Sequence, residues 1–329
     1  MRYRALAFAA CASLLVSLIA QPAWASNDPL FTQQWGLAQI GAPTAWATTT
    51  GSGVRVGIVD TGVDLTHEDL AGKVVESTSC VGAAGDPAKC QGSAQDDQGH
   101  GTHVAGIIAA TRDNNLGISG VAPDAQLVVA KALSAQGAGT IADITAGIKW
   151  VVDHGARVVN LSLGDPNFLF TSLLGTDMSE GIEYAWSHGA VPVVASGNTN
   201  YLGLGSSNYG DLDAIIVGAT GPNDQVSSYS SPVGNAKWAI LAPGGAHDGN
   251  PADDVISSFW VAGKTNQYKA LAGTSMATPH VAGAVALLLA TGLSPQQAVD
   301  RLVSTADPKV PCDGSGCHGR LDLTHAVKG

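Results

Sequence analysis

Val54-Arg55-Val56-Gly57-Ile58-Val59 runs directly into Asp60-Thr61-Gly62. The run is apolar without strict alternation, the pattern of a strand covered on both faces, and it stops at a turn. Four more short runs read the same way: Leu127–Lys131, Val158–Ser162, Val191–Ala195 and Ala214–Val217. Between them lie Thr102–Ala110, Ala142–His154 and Met178–His188, each of helical length and pattern. Strands alternating with helices predict an α/β fold with a mostly parallel central sheet flanked by helices. Further on, Ser275–Ala290 is small and apolar all round, as a helix through a core would be. Ser294-Pro295-Gln296-Gln297 then supplies an N-cap, a proline at the first helical position and a capping-box glutamine for a last amphipathic helix.

Outward from Asp60, three short blocks place reactive side chains beside glycines. They are Val59-Asp60-Thr61-Gly62, His100-Gly101-Thr102-His103-Val104-Ala105-Gly106 and Gly273-Thr274-Ser275-Met276-Ala277-Thr278-Pro279-His280. A serine hydroxyl is a poor nucleophile until an imidazole takes its proton, and that imidazole needs a carboxylate on its other nitrogen. Asp60, His100 and Ser275 supply the three groups. His103, three residues further along a helix, points into packing instead. Asp60 also closes the first strand, and an open parallel sheet binds its ligands beyond the carboxyl ends of its strands.

The chain order Asp, His, Ser is the mark of the subtilisin arrangement. From about Asp28 to Ala306 the chain resembles the subtilisin-like serine proteases (peptidase S8), in particular their thermitase-like branch. The resemblance implies a three-layer subtilisin-like fold and a secreted serine endopeptidase that works through an acyl-enzyme on Ser275. By the same likeness, Asp60 orients His100, His100 acts as base and then acid, and Asn198 in Ala195-Ser196-Gly197-Asn198 is the side-chain oxyanion donor. Ser162-Leu163-Gly164 and Gly137-Ala138-Gly139 resemble the two edges that hold an extended peptide, or an unfolded protein substrate, by its backbone. Family members often carry Tyr-Pro where this chain has Ser207-Asn208-Tyr209-Gly210, so the specificity pocket is not legible. Asp165 reads equally as a selector of basic side chains and as a solvated loop acid. Two rival readings keep part of this machinery: acyl transfer to an amine or alcohol, and a non-catalytic peptide-binding module.

The resemblance extends to a structural calcium site. Asn27-Asp28-Pro29, Asp69 in His67-Glu68-Asp69-Leu70, and Asp113-Asn114-Asn115-Leu116-Gly117-Ile118 match the family's tight site. Calcium takes six to eight oxygens, and the implied donors are the side chains of Asp28, Asp69 and Asn114 with the carbonyls of Thr111, Leu116 and Ile118.

The chain of 329 residues carries a net charge of −11. Arg2 and Arg4 precede an apolar stretch, Ala5–Ala20, and Ala23-Trp24-Ala25 offers a cleavage site, so residues 1–25 read as a signal peptide and 26–329 as a single peptidase domain. Removing two arginines and no acids takes the charge from −11 to −13. A strongly acidic surface disfavours nucleic acid and anionic membrane as partners. The expected product is a monomer without a membrane anchor, extracellular or periplasmic. Only Ser26–Ser52 precedes the first strand, so no pro-segment is expected.

Four cysteines remain after the leader: Cys80, Cys90, Cys312 and Cys317. An even count in an exported chain predicts disulfides, and local pairing (Cys80–Cys90, Cys312–Cys317) closes the shortest loops. Two other connectivities are open, as is a metal site of Cys312, Cys317 and His318.

Overall fold

The computed structural model describes residues 26–163, 178–198 and 210–328. Its strands are β1 (Arg55–Asp60), β2 (Val74–Ser79), β3 (Gln126–Lys131), β4 (Val158–Leu161), β5 (Val191–Ala195), β6 (Ile215–Thr220), β7 (Trp238–Pro243), β8 (Val255–Val261), β9 (Lys264–Leu271) and β10 (Cys317–Arg320). Eight form one sheet in the order β10-β7-β6-β5-β4-β1-β3-β2, while β8 and β9 pair as a separate hairpin. Every pairing in the large sheet is parallel. From β1 the chain builds one side of the sheet through β2 and β3, then crosses back to add β4 on the other. The gap beyond the carboxyl ends of β1 and β4 is therefore a topological switch point, where such sheets bind ligands.

The helices that matter are α1 (His100–Ala109), α2 (Ile141–Asp153), α3 (Ser179–Ser187), α4 (Thr274–Ala290) and α5 (Pro295–Ser304). Alternate strand residues face opposite layers. Val56, Ile58, Leu127, Val129, Val193 and Ile240 pack with α1, α4 and α5 in one apolar cluster. Val59, Val128, Val159, Val194 and Ile216 pack with α2 and α3 in a second. This is the expected α/β, three-layer arrangement. Burial on both faces explains why these strands carry no polar alternation. Cutting a fully buried residue such as Ile58 to alanine would cost about 2–5 kcal/mol.

The predicted elements recur with ends moved by up to three residues; Ala214–Val217, for example, is the start of Ile215–Thr220. The capping box at Ser294 and Gln297 is formed in full. Both local disulfides, Cys80–Cys90 and Cys312–Cys317, are present, which removes the other pairings and the cysteine metal site. No helix among the described residues is long and apolar enough to cross a membrane.

Candidate active site

Asp60 is the last residue of β1 and is fully buried. Its Oδ1 accepts the Thr61 N–H at 2.7 Å, which bends the carboxylate back over the turn. His100 opens α1, and its Nδ1 lies 2.8 Å from Asp60 Oδ1 and 3.0 Å from Oδ2. A carboxylate can only accept here, so the imidazole carries its proton on Nδ1 and keeps Nε2 free as a base.

The glycines around the pair serve close approach. Gly62 has φ +104°, and a Cβ on it would stand 2.4 Å from the Ala94 carbonyl. A Cβ on Gly101 would stand 2.0 Å from the Gly62 carbonyl. The turn after Asp60 and the first turn of α1 can touch only as backbone on backbone.

A second acid, Asp96, is buried behind them. It accepts hydrogen bonds from the Thr61 hydroxyl, the Gln98, Gly99 and Thr102 N–H groups and the Thr102 hydroxyl. Burial pushes the His100 pKa down, but the charge and hydrogen bond of Asp60, joined by the charge of Asp96, outweigh it and raise it above the usual histidine value. Asp96 was not singled out from sequence. His103 is indeed packed away: it is fully buried, hydrogen-bonded to the Lys269 carbonyl, and driven by that burial down to about 3.

Ser275 is the second residue of α4, with only 6 % of its surface exposed. Its N–H belongs to the first helical turn, whose amides lack helical partners and present the positive end of the helix dipole. Pro279, four residues on, has no N–H to give the Ser275 carbonyl. The Ser162 hydroxyl takes that place at 2.8 Å, and Asn160 Nδ2 in turn supports Ser162 Oγ at 2.9 Å. The Ser275 hydroxyl donates to the Ser162 carbonyl at 3.2 Å.

Asn198 follows β5. Its Oδ1 accepts from the Thr274 N–H at 2.9 Å and the Thr274 hydroxyl at 3.0 Å. An N–H can bond only to the amide oxygen, so the orientation is determined and Nδ2 is left to donate. Thr274, unremarked in the sequence reading, thus aims the amide. Ser162 and Leu163 leave the end of β4, and Gly137, Ala138 and Gly139 form an exposed edge in which Ser134 N–H bonds to the Ala138 carbonyl at 2.9 Å. Gly164, Asp165 and Ser207–Tyr209 lie outside the described residues.

Of the proposed metal donors, Asp28 and Asp69 are both hydrogen-bonded to Asn114. Asp28 accepts from Asn114 N–H and Asp113 N–H at 3.1 Å, and from the Ser26 and Ser119 hydroxyls at 2.7 Å. Asp69 accepts from Asn114 Nδ2 at 2.9 Å, Ile118 N–H at 2.8 Å and Tyr268 Oη at 3.0 Å, and its backbone carbonyl accepts Thr111 N–H. Asn114 thus shows Asp69 its amide nitrogen, while its oxygen accepts Leu116 N–H at 2.8 Å. Both carboxylates are buried, and neither forms a salt bridge among the described residues. Buried anions without a cation are costly, and hard oxygen donors suit calcium. Among the described residues no third acid, histidine or cysteine joins these two in a metal-holding group, so further ligands would have to be amide or carbonyl oxygens. The residues fit a calcium ion in chemistry, with Asn114 as the one side chain turned the other way.

A family model described as the subtilase family matches residues 51–321. Thermitase of Thermoactinomyces vulgaris is 36% identical over 310 residues, covering 92% of this chain and 99% of its own. Subtilisin Savinase of Lederbergia lenta is 41% identical over 257 residues, covering 77% of this chain and 83% of its own. Among solved structures, a protease of Pseudoalteromonas arctica superposes with TM-score 0.75 at 29% identity, covering 92% of this chain and 99% of that one.

Proposed function

The chain belongs to the subtilase family and is a serine endopeptidase, and on that premise we propose that it is secreted, stabilised by calcium and cleaves extended peptides through an acyl-enzyme on Ser275. The observation that carries the reading is the His100 Nδ1 bond to buried Asp60, which leaves Nε2 as the free base. His100 Nε2 takes the Ser275 proton as Oγ attacks the scissile carbonyl. The developing oxyanion is held by Asn198 Nδ2 and the Ser275 N–H. His100 then passes its proton to the leaving amine, and water repeats the sequence on the acyl-enzyme.

An extended substrate would add as a strand between Gly137–Gly139 and Ser162–Gly164, by main-chain hydrogen bonds that any sequence can make. Calcium would be held by Asp28, Asp69 and Asn114 with the carbonyls of Thr111, Leu116 and Ile118. Bound there it would tie the N-terminal segment to the loop after α1 and stabilise the native state alone. The mature protein of this reading starts at Ser26, is a monomer and carries no membrane anchor.

Intact-mass labelling of the mature protein by a fluorophosphonate, with Ser275→Ala alongside, tests the reading. One adduct that the variant lacks is expected. A folded protein that takes none would overturn it.

A further inference from the structure

Lys131 ends β3 with its side chain buried, directly beside Asp60 in the β1–β3 register. An ammonium has three N–H donors, and here each finds an oxygen. Nζ lies 2.7 Å from the Thr61 carbonyl, 2.8 Å from the Leu133 carbonyl and 2.6 Å from Asp97 Oδ1. Those acceptors sit on three different segments. Thr61 follows the acid of the triad, Asp97 lies three residues before His100, and Leu133 begins the loop that carries Gly137, Ala138 and Gly139. The backbone reinforces one of the links, since Ala132 and Leu133 N–H both bond to the Asp60 carbonyl, at 2.9 and 3.1 Å.

We propose that Lys131 is a positioning residue for peptide hydrolysis: its three hydrogen bonds hold the Gly137–Gly139 edge in register with the Asp60–His100 pair. The proposal rests on the peptidase reading above. A charge-assisted bond is about twice as strong as a neutral one, and Lys131 has only 10 % of its side chain exposed. Among the described residues, no other side-chain atom joins the proposed peptide-binding edge to the turn behind the base by hydrogen bonds. A substrate that lies along the edge is therefore delivered to Ser275 at an angle that Lys131 sets. A substrate too short to reach the edge does not sense it.

The test compares a tetrapeptide amide with a single-residue ester in the full mature protein, for the wild type, Lys131→Met, Lys131→Arg and Asp97→Ala. Lys131→Met is expected to lose about 10–100-fold in kcat/KM on the tetrapeptide and less than about threefold on the ester, the scale of a misplacement near one ångström. Lys131→Arg, which keeps charge and donors, should recover most of the difference. Asp97→Ala removes one anchor at a half-exposed residue, so it folds whether or not Lys131→Met does, and it should shift the tetrapeptide-to-ester ratio about threefold in the same direction. An unchanged ratio in Asp97→Ala, or equal losses on both substrates in Lys131→Met, overturns the proposal. An inactive wild type would instead overturn the peptidase reading.

Discussion

Pro279 leaves the carbonyl of Ser275 without its helical partner, and the nucleophile's own backbone is thereby held from outside the helix, by Ser162 at 2.8 Å. Ser162 also belongs to the proposed peptide-binding edge, so on that reading nucleophile and edge share a joint. Ser162→Ala should strand a buried carbonyl and the Asn160 amide together. The expected loss is about 1–3 kcal/mol of unfolding free energy, read by urea denaturation, with kcat falling more than KM rises. Unchanged stability would mean that another donor reaches the Ser275 carbonyl.

Thr274 aims Asn198 through two hydrogen bonds, one of which a valine cannot make. Thr274→Val should lower kcat about tenfold at nearly constant KM, since the donor would act on the transition state and not on bound substrate. Asn198→Ala should cost about 10²–10³-fold, the scale known for removing one oxyanion donor in subtilisin. The double variant should be scarcely worse than Asn198→Ala, because the two act as one unit. Additive losses would separate them.

The base must be neutral to act, and the His100 pKa is raised. The acid limb of kcat/KM should therefore lie above the ordinary histidine value of about 6.5. Asp96→Asn removes one of the charges that raise it, so the limb should move to lower pH. A limb that stays put in Asp96→Asn, measured with a small ester, would show that the charge of Asp60 acts alone.

Chelation of calcium should lower the melting temperature and expose the N-terminal segment to cleavage. At a free concentration of 100 times Kd the ion contributes about 2.7 kcal/mol. Asp69→Asn should abolish the difference between calcium and chelator in a thermal scan of the Ser275→Ala background, where self-cleavage is absent. Identical scans with and without calcium for the parent would remove the ion from the account and leave Asp28, Asp69 and Asn114 as a hydrogen-bonded joint.

Most strands buried on both faces were legible, because an apolar run such as Val191–Ala195 is its own signal, but the equally buried Trp238–Pro243 (β7) was not singled out. β2 was not, since Val74–Ser79 is an edge strand with a polar half. β8 and β9 were missed for a related reason: Lys264–Leu271 is mostly polar and pairs outside the main sheet. The reactive residues Asp60, His100 and Ser275 stood out by their flanking glycines. Their supports did not. Asp96 and Lys131 act through contacts between segments distant in sequence, which no local pattern encodes, and Thr274 reads as one more small residue in a small-residue block.

The strand order has a consequence for a chain made from its N-terminus. Asp60 and His100 emerge early, but Ser275 arrives with a helix that fills the middle of one layer, and the edge strand β10 comes later still. Until those segments are made, the sheet lacks one border and the cluster around α4 lacks its centre. A growing chain therefore has no assembled catalytic machinery with which to cut itself or its neighbours. The order of the segments acts as a timer, and the three reactive groups can meet only once Ser275 has been made.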